Sequence, residues 1–236
     1  MSGSDLIGYL PKSRFMGEET YKPGDKLTNE PTFIVDPIDG TTNFVHSFPY
    51  FCISLGFAVN KEPTVGVVYN PYTKQLYSAI KGRGAFLNGK TPLPLKDSEP
   101  LALQDALIVV EYGSDRSGND YKVKHETFTK LAQSKDEGGA MVHSLRCMGS
   151  AALNLCGVAS GFLDAWWEAG CWPWDVCAGT CILKEAGGIM VDANPGEWSE
   201  DMERKRYFAV RKGEKQNEFV EEFWSFVQGK FEDKHL

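Results

Sequence analysis

Apolar residues in this chain come in two rhythms. Between residues 31 and 89 they form short β-branched and aromatic runs cut by turn-forming residues, which is the pattern of strands. Residues 31–36 read as a strand. Residues 52–89, "CISLGFAVNKEPTVGVVYNPYTKQLYSAIKGRGAFLNG", read as a strand meander divided by "NKEP", "NPYTK" and "KGRG". Together they predict an antiparallel sheet. Farther on, a helix is predicted over 120–134, with Val123, Phe128 and Leu131 on one face. A second helix is predicted over 149–161, with Ser150 near its start and Gly161 closing it. A third spans 174–188, with Asp175 at its N-terminus and Gly187 at its stop. A C-terminal amphipathic helix covers "KQNEFVEEFWSFVQGKF". Strands are expected at 107–113, 141–148, 162–170, "IMVDA" and "YFAVR". Residues 1–30 read as polar and turn-rich, and 41–47 as a short helix or an irregular turn. The proline-rich stretch 91–106 is the expected boundary between two lobes, 1–95 and 96–236.

Composition narrows the class. The 236 residues are 42% hydrophobic and 24% charged, which fits a soluble globular protein whose core needs no disulfide staples. The net charge of −7, with no basic block, argues against a nucleic-acid partner. It does not exclude phosphate esters held through metal cations. The six cysteines form no CxxC pair and the four histidines are scattered, so zinc-site spacing is absent. Reduced, mostly buried thiols of an intracellular protein are the better reading. No run approaches the ~18 apolar residues of a membrane span. The opening "MSGSDLIGYLPKSRF" lacks the apolar stretch of a signal peptide. A cytoplasmic protein is expected.

Three short stretches carry candidate chemistry. In "FIVDPIDGTTNF" Asp36 ends the predicted strand, and Pro37 bars the ladder from continuing. The bend can bring Asp39 to the same side. Gly40 permits a positive φ, and Gly40, Thr41 and Thr42 offer N–H groups and hydroxyls beside the acids. Such a set suits a phosphate held through a divalent cation. The plainer alternative is a strand–turn–helix junction whose aspartates cap backbone N–H groups. In "MGEET" the adjacent Glu18 and Glu19 cannot share one point, so one serves the site or both face solvent. In "WPWDVCAGTCILKEAGG" Asp175 stands at a helix start, where an aspartate is ordinarily a cap.

Taken in order, GEE, DPIDGTT and WDVCAG make the combination specific. The chain resembles the inositol monophosphatase family, whose signatures are D-P-[IL]-D-G-T-x-N and W-D-x-A-A-G. Cys177 stands where that family often has alanine. The likeness runs from about Arg14 to about Val210 and includes "GAFLNG", "GSAALNLC" and "EAGG".

The resemblance implies an α+β fold, a layered αβαβα sandwich of the sugar-phosphatase type. It implies two or three Mg²⁺ ions. Glu18, Asp36 and the backbone carbonyl of Ile38 would hold the first, and Asp36, Asp39 and Asp175 the second. A weaker third ion would also touch Glu18. Glu18 and Thr41 would orient and deprotonate the attacking water. The N–H groups of Gly40 and Thr41 would hold phosphate oxygens. Gly149, Ser150, Ala151 and Asp175 would face the substrate, and Glu168 would bind ring hydroxyls. The implied reaction is hydrolysis of inositol monophosphate. The alternatives are a related phosphatase acting on sugar bisphosphates or 3′-phosphorylated nucleotides, or a truncated, catalytically weak subunit. A homodimer and inhibition by Li⁺ are further expectations. Trp172 and Pro173 stand where many animal members have other residues, so the pocket wall is expected to differ. Family members also carry two helices before GEE, a stretch much shorter here. The first helical layer is therefore expected to be missing, leaving strand residues such as Phe57, Val65 and Val67 exposed.

Overall fold

The computed structural model describes residues 13–96 and 100–233. A seven-stranded sheet forms first, in simple chain order: β1 (Arg14–Gly17), β2 (Thr32–Asp39), β3 (Cys52–Val59), β4 (Glu62–Asn70), β5 (Gln75–Ile80), β6 (Ala85–Leu87) and β7 (Thr91–Pro92). Every pairing is antiparallel except β1 with β2. The two-residue period of a strand is plain in β3. Cys52, Ser54, Gly56 and Ala58 point inward, whereas Ile53 and Leu55 are exposed. A short helix, α1 (Thr41–Val45), follows β2.

The second sheet has the order β11–β12–β10–β8–β9: Ile189–Val191, Arg206–Val210, Ala165–Ala169, Leu107–Val110 and Ser144–Arg146. Helices α3 (Ala151–Ser160) and α4 (Pro173–Glu185) lie between the sheets. Helices α2 (Gly118–Ala132) and α5 (Gln216–Ser225) cover the far side of the second sheet. Adjacent residues of β10 show how one strand serves two cores. Trp166 packs with α3 and α4 against Tyr207, while Trp167 packs beside Phe223 and Phe231 in the other cluster. Helix α4 lies directly on the first sheet's backbone. A Cβ at Gly66 would fall 2.2 Å from the Ala178 carbonyl oxygen, so the contact demands glycine.

Four layers result: sheet, helices, sheet, helices. Among the described residues no helix covers the outer face of the first sheet. A registered row, Phe15–Phe33–Phe57–Val65–Ile80, crosses that face from β1 to β5. Phe15 and Ile80 are exposed, as are Ile53 and Leu55 on the same face. Phe57, Val65 and Val67 are half-buried rather than fully exposed, because aromatic and aliphatic neighbours across the strands shield them; Phe33 and Phe57 have ring centroids 4.8 Å apart.

Several boundaries differ from expectation. Strand β1 lies inside the stretch read as turn-rich, because its four residues find a parallel partner in β2. Residues 1–12 of that stretch, 97–99 of the proline-rich segment and 234–236 lie outside the described residues. Strand β2 does not stop at Asp36 but continues through Pro37 to Asp39. The expected strands 107–113, 141–148 and 162–170 shorten to β8, β9 and β10, and the C-terminal helix ends at Ser225.

Candidate active site

Two acids three residues apart on a regular strand point to opposite faces. In β2 they do not. Asp36 pairs with Ser54 and Asp39 with Cys52, so three steps on β2 match two on β3. This bulge restores Asp39 to the side of Asp36. Pro37 sits within it, exposed, at a position where the ladder asks for no N–H. Both aspartates are buried, and the Ile38 N–H donates to Asp36 Oδ1 at 2.8 Å. The parallel register of β1, which pairs Gly17 with Val35, delivers Glu18 beside Asp36.

Helix α4 supplies the third aspartate. Asp175 lies in the first turn, not at the cap itself. The cap is Trp172, whose N–H donates to the Asp175 carboxylate at 2.7 Å, and Pro173 opens the helix. Carboxylate oxygens of Asp36, Asp39 and Asp175 all lie within 4.8 Å of one another.

Such crowding raises every proton affinity. Burial, then the Asp39 charge, pushes Asp36 up to about 6. Burial, then Asp36, pushes Glu18 up to about 7. Burial, then Asp39, holds Asp175 well above the carboxylate range. Asp39 is likewise pushed up by burial, to about 6. Donors from Ser150, Ala152 and Cys52 act against that rise. Buried like charges are costly unless a cation joins them. The donors are all carboxylate oxygens, the chemistry of a hard divalent ion. These residues fit a metal ion.

Around the acids opens a cleft of about 640 Å³. Glu18, Asp36, Ile38, Asp39, Gly40, Thr41, Gly149, Ser150, Ala151, Glu168 and Asp175 all line it. The cleft thus gathers the residues named as candidate catalytic, metal and substrate contacts, while Glu19 does not line it. Gly40 caps α1 at φ 84°, and a Cβ there would lie 3.1 Å from the carbonyl oxygens of Gly149 and Tyr50. Thr41 is exposed in the first turn of α1, where N–H groups lack intrahelical partners. The hydroxyl of Ser150 is turned away from open solvent. It donates to Asp39 and caps α3 by accepting from Leu153 N–H. Glu168, also in the lining, is 9% exposed and accepts the Trp166 indole N–H at 3.0 Å. Burial, with the neighbouring Glu111, pushes it up to about 8.

Two residues of the site had no role in the sequence reading. The Asn43 amide donates to the carbonyls of Tyr50 (2.7 Å) and Met148 (2.8 Å), bolting α1 to the 148–150 turn. It is the last residue of the D-P-I-D-G-T-x-N signature. Glu111 takes the N–H groups of Met148 (2.6 Å) and Gly149 (2.7 Å), the Asn154 amide and the Cys147 thiol. Its signal was present in "LIVVEYG", where an apolar run ends in an acid as in "FIVD".

The layered α+β sandwich, with acids meeting between a strand bulge and a helix start, defines a class of phosphatase fold. Within it, this chain belongs to the inositol monophosphatase family, whose profile matches residues 5–228. It is 52% identical to inositol monophosphatase 2 of Saccharomyces cerevisiae, over 97% of this chain and 79% of the yeast protein. The structure of inositol monophosphatase from Anabaena (Nostoc) sp. PCC 7120 superposes with a TM-score of 0.75 at 29% identity, covering 95% of this chain and 81% of that one. Inositol monophosphate-bound SaIMPase-II superposes with a TM-score of 0.76 at 26% identity, covering 95% and 79%. No helix among the described residues is long and apolar enough to cross a membrane.

Proposed function

We propose that this chain hydrolyses inositol monophosphate to inositol and phosphate with Mg²⁺, two or three ions being held by Glu18, Asp36, Asp39, Asp175 and the Ile38 carbonyl. One observation supports the reading above the rest. Three carboxylates converge within 4.8 Å in a cleft that Glu168 also lines. Similarity to an inositol monophosphatase of yeast, and to a structure bound to inositol monophosphate, supports the substrate.

Mg²⁺ bound there supplies the charge that offsets the phosphate and the leaving alkoxide, and it acidifies water. The chain's own groups do the rest. Glu18 and Thr41 orient the attacking water, and the Glu18 carboxylate accepts its proton. The N–H groups of Gly40 and Thr41 hold phosphate oxygens in line for displacement. Gly149, Ser150 and Ala151 form the facing wall, and Glu168 accepts hydrogen bonds from ring hydroxyls. The reading also carries a homodimer and Li⁺ inhibition as expectations. Five buried, unpaired cysteines favour a reducing compartment, the cytoplasm.

The test is phosphate release from inositol 1-phosphate with Mg²⁺, with and without Li⁺, beside the same chain carrying Asp36→Asn. Lithium-sensitive release that the variant lacks is the expected result. Equal release by both proteins would sink the assignment.

A further inference from the structure

A lysine is buried beside the part of the cleft that Glu168 lines. Lys124, in the middle of α2, is 1% exposed. A helical lysine ordinarily keeps its ammonium in water and buries only its stem. Here the ammonium turns inward and donates to three oxygens: the Tyr112 carbonyl at 3.1 Å, the Asp115 carboxylate at 3.2 Å and the Ala169 carbonyl at 2.8 Å. An ammonium has three protons, so these partners use its full donor capacity.

The three oxygens come from two separate segments, and both line the cleft. The stretch after β8 supplies Tyr112, Gly113 and Arg116 to the rim, while Ala169 is the residue after Glu168. Gly113 is the point of closest approach. Its φ is 62°, and a Cβ there would lie 3.2 Å from Lys124 Nζ and 3.9 Å from Glu168 Oε1. Rim, ammonium and Glu168 therefore meet at one place. None of the bonds described for Lys124 goes to Asp36, Asp39 or Asp175.

We propose that Lys124 is a positioning residue for substrate choice. It fixes the distance between the Gly113–Arg116 rim and Glu168, and so the width of the space that receives the alcohol part of the phosphate ester. The inference rests on the reading that this part of the cleft receives a polyol. A purely structural lysine would affect every substrate alike. A lysine that sets this width affects only substrates whose alcohol part must be gripped.

The test compares inositol 1-phosphate with 4-nitrophenyl phosphate in Mg²⁺. Lys124→Met keeps the unbranched stem, one atom shorter, and removes charge and donors. Its kcat/KM for inositol 1-phosphate should fall at least about tenfold, mostly through KM, while that for the aryl ester stays within about threefold. In a Glu168→Ala background the same change should cost less than about twofold more on inositol 1-phosphate, because the two act as a unit. Asp115→Ala removes one of the three contacts from a partly exposed position. It should give a smaller loss of the same kind, and it carries the test if Lys124→Met does not fold. Equal losses on both esters, or an unchanged ratio in the folded variants, overturn the inference. An unsubstituted chain that prefers the aryl ester overturns the polyol reading and this inference with it. That outcome is separable because it appears before any substitution.

Discussion

The Ser150 hydroxyl donates to the Asp39 carboxylate, tying the start of α3 to the strand that carries both acids. Asp39 also takes the Ala152 N–H at 3.0 Å. These donors favour the ionised form against the pull of burial. Ser150→Ala removes one donor and the cap of α3 together. It should lower stability by about 1 kcal/mol and weaken Mg²⁺ binding several-fold. Denaturant melts and a Mg²⁺ titration read the two effects separately.

Asp36→Asn separates a binding role from a structural one. A structural aspartate would leave a less stable protein when replaced. Here Asp36 is crowded by other carboxylates, and burial raises its proton affinity. Its neutral isostere should therefore melt at or above the parent's temperature without metal, while phosphate release falls on the order of a thousandfold or more. A metal-free variant that melts well below the parent would contradict the ion-site reading.

The acid cluster also sets a pH dependence. Asp36, Asp39 and Glu18 are pushed to about 6, 6 and 7 in the fold. Free carboxyls ionise near pH 4. Between about pH 4 and 7 the folded chain keeps protons that the unfolded chain has released. Stability from these groups therefore falls as pH rises through that window. Metal-free protein should lose melting temperature from pH 5 to pH 8, and Mg²⁺ should flatten the slope by taking the place of the protons. Asp36→Asn should flatten it without metal. Scanning melts at four pH values, in chelator and in Mg²⁺, give the comparison.

Glu111 anchors the 147–149 turn through two backbone N–H groups, the Asn154 amide and the Cys147 thiol. Glu111→Ala leaves several of these donors unpaired, which costs about 3 kcal/mol in all. Glu111→Gln keeps an acceptor oxygen and should cost much less. A urea series on both variants distinguishes the acceptor from the charge.

The outer face of the first sheet makes a different kind of prediction. Leu55 is exposed and lies opposite Val67 on that face. Leu55→Thr should raise solubility and reduce binding of an apolar dye, with phosphate release unchanged, since the face is opposite the cleft. Unchanged dye binding would show that another part of the molecule presents the apolar surface.

The sequence was most legible where local chemistry decides structure. The meander from 52 to 89 could be read because each run ends at turn-forming residues such as "NKEP" and "NPYTK". Helix α3 could be read because Ser150 caps it and Gly161 closes it. Strand β1 could not, since four residues form a strand only through a partner eighteen positions away. The bulge in β2 was hidden for a similar reason: it exists only relative to β3. Asp36, Asp39 and Asp175 were named because motifs carry them. Glu111 and Lys124 were not, because their importance lies in which distant atoms they reach, Gly149 for one and Ala169 for the other.

The bulge between Asp36 and Asp39 means that the site depends on parity as well as on identity. Three steps on one strand answer two on its neighbour, and the bulge that absorbs the surplus residue keeps both acids on one side. Delete Pro37 and every acid remains in the chain, yet the count turns even against even and the strand ladder closes without the kink. The carboxylates that meet would then be held by a different geometry, although no ligand had been substituted. A comparison of side chains alone would miss such a lesion; a count of residues between the two aspartates would find it at once.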